Sequence, residues 1–292
     1  MSTPDIGRLG VWGHLDTLGA DAARAYVRRV EDLGYEALWV PETVGREPLT
    51  LLGMLAGETS RLVLGTSVAS IWGRDPQSTR MAALTLAEAT GNRFVLGLGV
   101  SHPHLAEKLR GHTFDRPLSR MRDYLEAYRR AVIRAPALDG VDEPPILLAA
   151  LRERMTDLAA TEADGAFPYL VTAERVRWMR ARLDAAAGDR RPRLAVTLPV
   201  ALNADAARAY LKPYLRTPAY RASWDLQGFD AADWEPPASD RLLAAMVAIG
   251  PPGEARARID ELVASGADHV AIIPLAADGT TEDLATLEAL MA

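Results

Sequence analysis

The 292-residue sequence contains no cysteine. Disulfides, thiolate metal sites, iron–sulfur clusters and a cysteine nucleophile are therefore excluded. There are five histidines and no HExxH spacing among them, so no metal site is expected. No stretch approaches the roughly 18 apolar residues of a membrane span. The amino terminus also lacks a charged-then-apolar signal region, so a cytoplasmic protein with no membrane partner is expected. Positive charge is not concentrated anywhere. With a net charge of −6 and no Lys/Arg-rich block or basic aromatic strip, nucleic acid is not an expected partner.

The sequence does contain a repeated alternation of short apolar strands and amphipathic helices. Strands are predicted at Gly7–Trp12, Ala37–Val40, Leu62–Val68, Phe94–Leu98, Pro145–Ala149, Asp164–Phe167, Arg193–Leu202 and Ala267–Ile273. Helices are predicted over Asp21–Leu33, Leu49–Thr59, Pro76 to about Ala89, Arg152–Thr161 and Ala173–Ala187, with two helical stretches within 104–134 and a last helix at the end. Gly34 and Gly91-Asn92 are stop signals, and Pro76 is a start signal. Eight strands alternating with helices predict α/β architecture, a single (β/α)8 TIM barrel spanning 1–292. The stretch from Asn203 to about Ile249 is too long for one crossover and collects aromatics and prolines. It reads as a helical insertion after strand seven at the carboxyl face, either a lid or substrate wall, or an oligomer contact.

Two seams stand out within this pattern. RLVLGTSVASIWGRDP and NRFVLGLGVSHP each run from an apolar strand into small residues, then into polar or aromatic ones. Ligands of parallel α/β folds bind at the carboxyl ends of strands, so the seams read as neighbouring walls of one site. The small residues would let a flat ligand approach the backbone. Gly97–Val100 is not a dinucleotide fingerprint, because the third glycine and the later acidic residue are missing.

With AxVxxVEDLGYEALWVPE, these seams and the closing GEARARIDELVASGADHVAIIPL, the chain resembles the bacterial luciferase-like superfamily of flavin and deazaflavin oxidoreductases over essentially its full length. VPETVGREP, GVSHP and LAALRERM followed by ADGAFPY are most similar to the actinobacterial branch that uses the deazaflavin coenzyme F420. The resemblance implies a hydride transfer between F420 and a small organic substrate. The alternatives are an FMN-dependent monooxygenase on the same fold and a barrel that binds without catalysing. A homodimer is implied too. The resemblance further implies a non-prolyl cis peptide at Ser67–Val68 supporting the cofactor ring, with Gly97, Gly99, Val100 and Ser101 as a second wall. The cofactor phosphate would lie at the start of the helix after strand five. Relatives carry Gly-Pro where this chain has Arg152-Glu153; Arg152 would strengthen phosphate binding and Glu153 oppose it.

The chemistry-bearing candidates sit at strand ends. Glu42 follows strand two, where some relatives place a histidine base; it acts in proton transfer or else pairs with Arg46 or Arg74. His14 and His102 follow strands one and four and are the other proton-transfer candidates. Arg74 contacts an acidic cofactor tail or pairs with Asp75 or Glu42. Trp12 and Trp72 line the pocket or pack in the core. Phe167 and Tyr169 follow strand six and border the same pocket. His112 and His269 read as structural.

Overall fold

A computed structural model describes residues 4–292. Eight parallel strands form the barrel: β1 Leu9–Trp12, β2 Ala37–Val40, β3 Val63–Thr66, β4 Phe94–Gly99, β5 Ile146–Leu148, β6 Gly165–Ala166, β7 Arg193–Ala201 and β8 His269–Leu275. Each pairs with the next, and β8 pairs with both β7 and β1, so the sheet closes on itself. Helices follow the strands on the outside. α1 (Ala20–Asp32) shows why: Ala23, Tyr26, Val27 and Val30 recur at helical spacing and are buried against the sheet. α3 (Pro76–Thr90) opens where Asp75 accepts a hydrogen bond from the Ser78 amide, and ends at Gly91 in the left-handed conformation.

Strand alternation builds two cores. On β2, Leu38 and Val40 face the helices, whereas Ala37 and Trp39 point into the barrel. Trp39 is fully buried and meets Phe167 edge-on, with ring centroids 4.8 Å apart. Its indole N–H donates to Nε2 of His269 at 2.9 Å, and Nδ1 of His269 lies 3.0 Å from the Gly7 carbonyl. The indole can only donate and the carbonyl can only accept, so His269 is the neutral Nδ1–H tautomer. Burial pushes its pKa down to about 4.

That shift predicts acid lability. The unfolded histidine takes up a proton near its ordinary pKa of 6.5, while the folded one stays neutral until about 4. Stability is therefore expected to fall as pH drops through this window, by on the order of 3 kcal/mol for His269. Urea midpoints between pH 7 and 4 check it; a His269→Gln variant should lose its share of that slope while His102 keeps its own, and an equal slope in the variant rules the mechanism out.

Several predicted boundaries move for local reasons. β1 starts at Leu9 because the Glu36 carboxylate captures the amides of Arg8 (2.7 Å) and Leu9 (3.0 Å). Strand three stops at Thr66 and resumes as the two-residue strand Ala69–Ser70, which pairs with Leu98 and Gly99. The intervening Ser67–Val68 peptide is cis. Strand six is reduced to two residues. Of the two helical stretches in 104–134, the first is a single wide turn at Leu105–Leu109, and the second is α4 (Pro117–Arg130).

The other outer helices are α2 Pro48–Leu55, α5 Glu153–Glu162 and α6 Ala173–Ala187. After β7 the chain forms four shorter helices, α7 Ala204–Leu211, α8 Pro218–Asp225, α9 Ala231–Trp234 and α10 Asp240–Met246. Ala248–Ile249 then pairs with the end of β7. α11 (Pro252–Ala264) leads into β8, and α12 (Leu284–Met291) follows it. No helix among the described residues is long and apolar enough to cross a membrane.

Candidate active site

The carboxyl ends of β1 to β6, roofed by the segment around α8, enclose a cavity of about 600 Å³. Its walls include Trp12 and His14 after β1, Glu42 after β2, Ser67 and Val68 after β3, Gly99, Ser101 and His102 at the end of β4, and Phe167 and Tyr169 after β6. The structure thus brings together residues predicted from five separate strand ends. A narrow passage of about 170 Å³, shared by His102, Tyr169 and Ser101, leads outward past Val100 and Arg152. It opens into a groove of about 890 Å³ between the starts of α4, α5 and α8. A separate depression of about 320 Å³ lies at the opposite end of the barrel, beside Ile146 and Asp164. Its wall contains the Arg80–Glu143 ion pair and none of the strand carboxyl ends.

Backbone shape is unusual along the cavity rim. Among the described residues, three of the five non-glycine positions with left-handed φ, Leu15, Ser101 and Leu170, lie at or just beyond the ends of β1, β4 and β6. Each such residue costs about 1–2 kcal/mol, a concentration that marks working sites. Trp12 anchors the rim by donating its indole N–H to the Ser67 carbonyl at 3.1 Å.

His102 sits where cavity and passage meet, packed on Tyr220 at 5.3 Å and stacked on His104 at 5.9 Å. Its Nδ1 is buried with no hydrogen-bond partner. Burial, with a smaller contribution from His104, lowers its pKa to about 4, so the ring is neutral near pH 7. His14 stands edge-on to Trp12 at 4.9 Å, and burial lowers its pKa as well.

Glu42 adopts the pairing alternative. Its carboxylate accepts from the Ser70 amide and Arg74 (both 2.8 Å) and from Arg110 at 2.5 Å. Arg74, in turn, bridges to Glu47, which caps α2. Arg46 turns away to the Leu18 carbonyl. With both oxygens engaged by cations, Glu42 holds the β2 and β3 rims together rather than standing free as a base.

Three other expectations are corrected by the packing. Gly97 does not reach the cavity; a Cβ there would lie 1.9 Å from the Thr66 carbonyl oxygen, so the glycine permits strand contact instead of ligand approach. Arg74 is taken up by Glu42 and Glu47 and faces no cavity. Trp72 leans outward, donating to the Val100 carbonyl at 2.8 Å and packing near His112 and Phe114. Gly99, by contrast, does line the cavity, and a Cβ there would strike Val68 at 2.4 Å.

A profile of the luciferase-like monooxygenase family matches residues 6–269. The chain belongs to this family and is an enzyme of it. A provisionally named coenzyme F420-dependent oxidoreductase of Mycobacterium tuberculosis is 30% identical over 251 residues, covering 71% of this chain and 70% of that one. Coenzyme F420-dependent tetrahydromethanopterin reductase from Methanopyrus kandleri superposes with a TM-score of 0.76 over 98% of both chains at 16% identity. The oxygenating constituent of 3,6-diketocamphane monooxygenase from Pseudomonas putida, in complex with FMN, gives 0.73 over 98% of this chain and 96% of that one at 13% identity. At such identities the structural likeness shows the fold, a closed luciferase-like barrel.

Sequence reasoning missed Tyr214 and Tyr220, which complete the cavity roof. Their signal was the tyrosine-rich YLKPYLRTPAY within the segment read as a lid or substrate wall.

Proposed function

We propose that the protein is an F420-dependent oxidoreductase that moves a hydride between the deazaflavin and an uncharged organic substrate. The observation that carries this reading is the continuity of an aromatic cavity with a long, arginine-edged groove. A flat ring fits against Ser67, Val68 and Gly99, with Val68 lodged in the space that a Gly99 side chain would take. The tail would follow the passage past Val100 and Ser101. Three helix starts border the groove, and Arg116, Arg152 and Thr217, which cap α4, α5 and α8, make no side-chain capping bond. Free amides at these starts, with Arg116, Arg152 and Arg154 beside them, suit a phosphate followed by further negative charge. The Glu153 carboxylate turns to Arg182 at 2.6 Å, a cation it shares with Asp157.

When bound, the deazaflavin supplies the hydride acceptor or donor. The protein's own work is to fix the ring, exclude water with the aromatic walls and handle the accompanying proton. His102, neutral and with a buried unpartnered nitrogen, receives that proton from an alcohol or returns it to a carbonyl oxygen. His14 is the second group within the same walls.

Titrating the purified protein with F420 and with FMN, followed by cofactor fluorescence, tests the reading. Saturable F420 binding is expected, and tight FMN binding without any for F420 overturns it in favour of the monooxygenase. Arg152→Ala is expected to weaken F420 about tenfold and to flatten the salt dependence of its binding. Unchanged affinity would remove Arg152 from the phosphate site.

A further inference from the structure

The first turn of α6 carries a cation that its surroundings do not favour. Arg175 sits three residues past the cap Thr172, whose hydroxyl accepts from the Arg175 amide at 3.2 Å. A positive side chain at this end opposes the helix dipole. The residue is only 7% exposed, and its guanidinium lies over the Trp178 ring, with Cζ 3.8 Å from the centroid. Its Nε is buried and has no hydrogen-bond partner. Among the described residues no carboxylate offsets this burial, which lowers the Arg175 pKa. The acids on the adjoining α5, Glu153 and Asp157, both pair with Arg182. A buried charge without a partner is costly, and an apolar side chain of similar length would fill the place at less cost.

The one strong contact of the guanidinium points to its use. Nη2 donates to the Leu151 carbonyl at 2.6 Å. Leu151 borders the passage that leads out of the cavity, and Arg152, the next residue, caps α5 and borders the groove. The carbonyl of Leu151 and the amide of Arg152 belong to one planar trans peptide, so they point in opposite directions. With the carbonyl held by Arg175, the Arg152 N–H is turned away from α6, and among the described residues it donates to no backbone carbonyl. Arg175 itself lies outside the groove wall. It acts on the groove through the Leu151–Arg152 peptide and through a positive charge that no protein group neutralises.

We propose that Arg175 is a positioning residue for a phosphate-bearing flavin or deazaflavin: it orients the Leu151–Arg152 peptide from behind, and its charge is balanced by the anion seated at the start of α5. The inference rests on the cofactor reading of cavity and groove and adds to it a residue that the wall itself does not reveal. It also separates binding from folding. Arg175 is a burden on the empty protein and an asset to the loaded one.

Two ligand pairs test it in fluorescence titrations of the full chain: FMN with riboflavin, which differ by the phosphate alone, and F420 with its phosphate-free deazaflavin fragment. In Arg175→Met the preference for the phosphate-bearing member is expected to fall about tenfold. Affinity for the phosphate-free member should stay within twofold, and the Tm of the cofactor-free protein should not drop. Arg175→Lys keeps the charge without the planar fork and should lose only about threefold of the preference. It carries the test should Arg175→Met not fold. A preference unchanged in both variants overturns the proposal. So does an equal loss for both members of a pair together with a lower Tm, the result of a residue that merely holds the fold. Failure of the cofactor reading looks different: the wild type then binds none of the four ligands, and this proposal falls with it.

Discussion

His102→Ala is expected to lower kcat/KM by about 10²- to 10⁴-fold, the range associated with losing a positioned acid–base group. The wild-type profile of kcat/KM should bend downward as pH falls toward about 4, where the free enzyme's His102 takes up a proton. That limb should disappear in the variant, since no other group replaces it at the junction of cavity and passage. F420 affinity should change little, because the supports proposed for the ring are Ser67, Val68 and Gly99. Turnover within twofold of wild type would remove His102 from the proton path and leave His14 as the candidate, a half-buried histidine lining the same cavity.

Trp39→Ala carries the largest expected loss of stability, about 3–5 kcal/mol. The side chain is fully buried in the barrel, and its removal also orphans Nε2 of His269. The neighbouring strand is shaped around it: a Cβ at Gly65 would lie 2.3 Å from the indole ring. Gly65→Ala should thus be destabilising in the wild type and much less so in the Trp39→Ala background, a coupling that a double-mutant cycle in urea measures. A Trp39→Ala loss under about 1 kcal/mol, or additive effects of the two changes, would show that the barrel interior is not built on this contact.

The glycine result changes how the two glycine-rich seams are understood. Read as sequence, Gly65, Gly97 and Gly99 are equivalent small residues inviting a flat ligand. In the fold, Gly65 makes room for Trp39, Gly97 lets β3 and β4 approach, and only Gly99 faces the cavity. All three are needed for space, but Gly65 is filled from β2, Gly97 from the end of β3 and Gly99 from the bulge that follows it. No local pattern distinguishes them.

The polar network follows the same logic. Glu42 had two chemically equivalent partners nearby in sequence, Arg46 and Arg74. In the fold Arg46 reaches the Leu18 carbonyl, and Glu42 pairs with Arg74 and with Arg110, which is 68 residues away. Glu153 was likewise ambiguous beside Arg152 until α6 placed Arg182 against it.

What the sequence by itself determined is the architecture and the rim. Period-two and period-3.6 hydrophobicity set eight strands and their helices, β2 and α6 to the residue, because burial on one face leaves a local trace in every element. Strand ends could be read too, since a parallel barrel gathers its ligand groups there whatever the side chains. Tertiary structure alone decided which rim residues meet the cavity and which are spent on each other. Those outcomes depend on contacts between residues tens to hundreds of positions apart, set by barrel closure and by the helices packed over it.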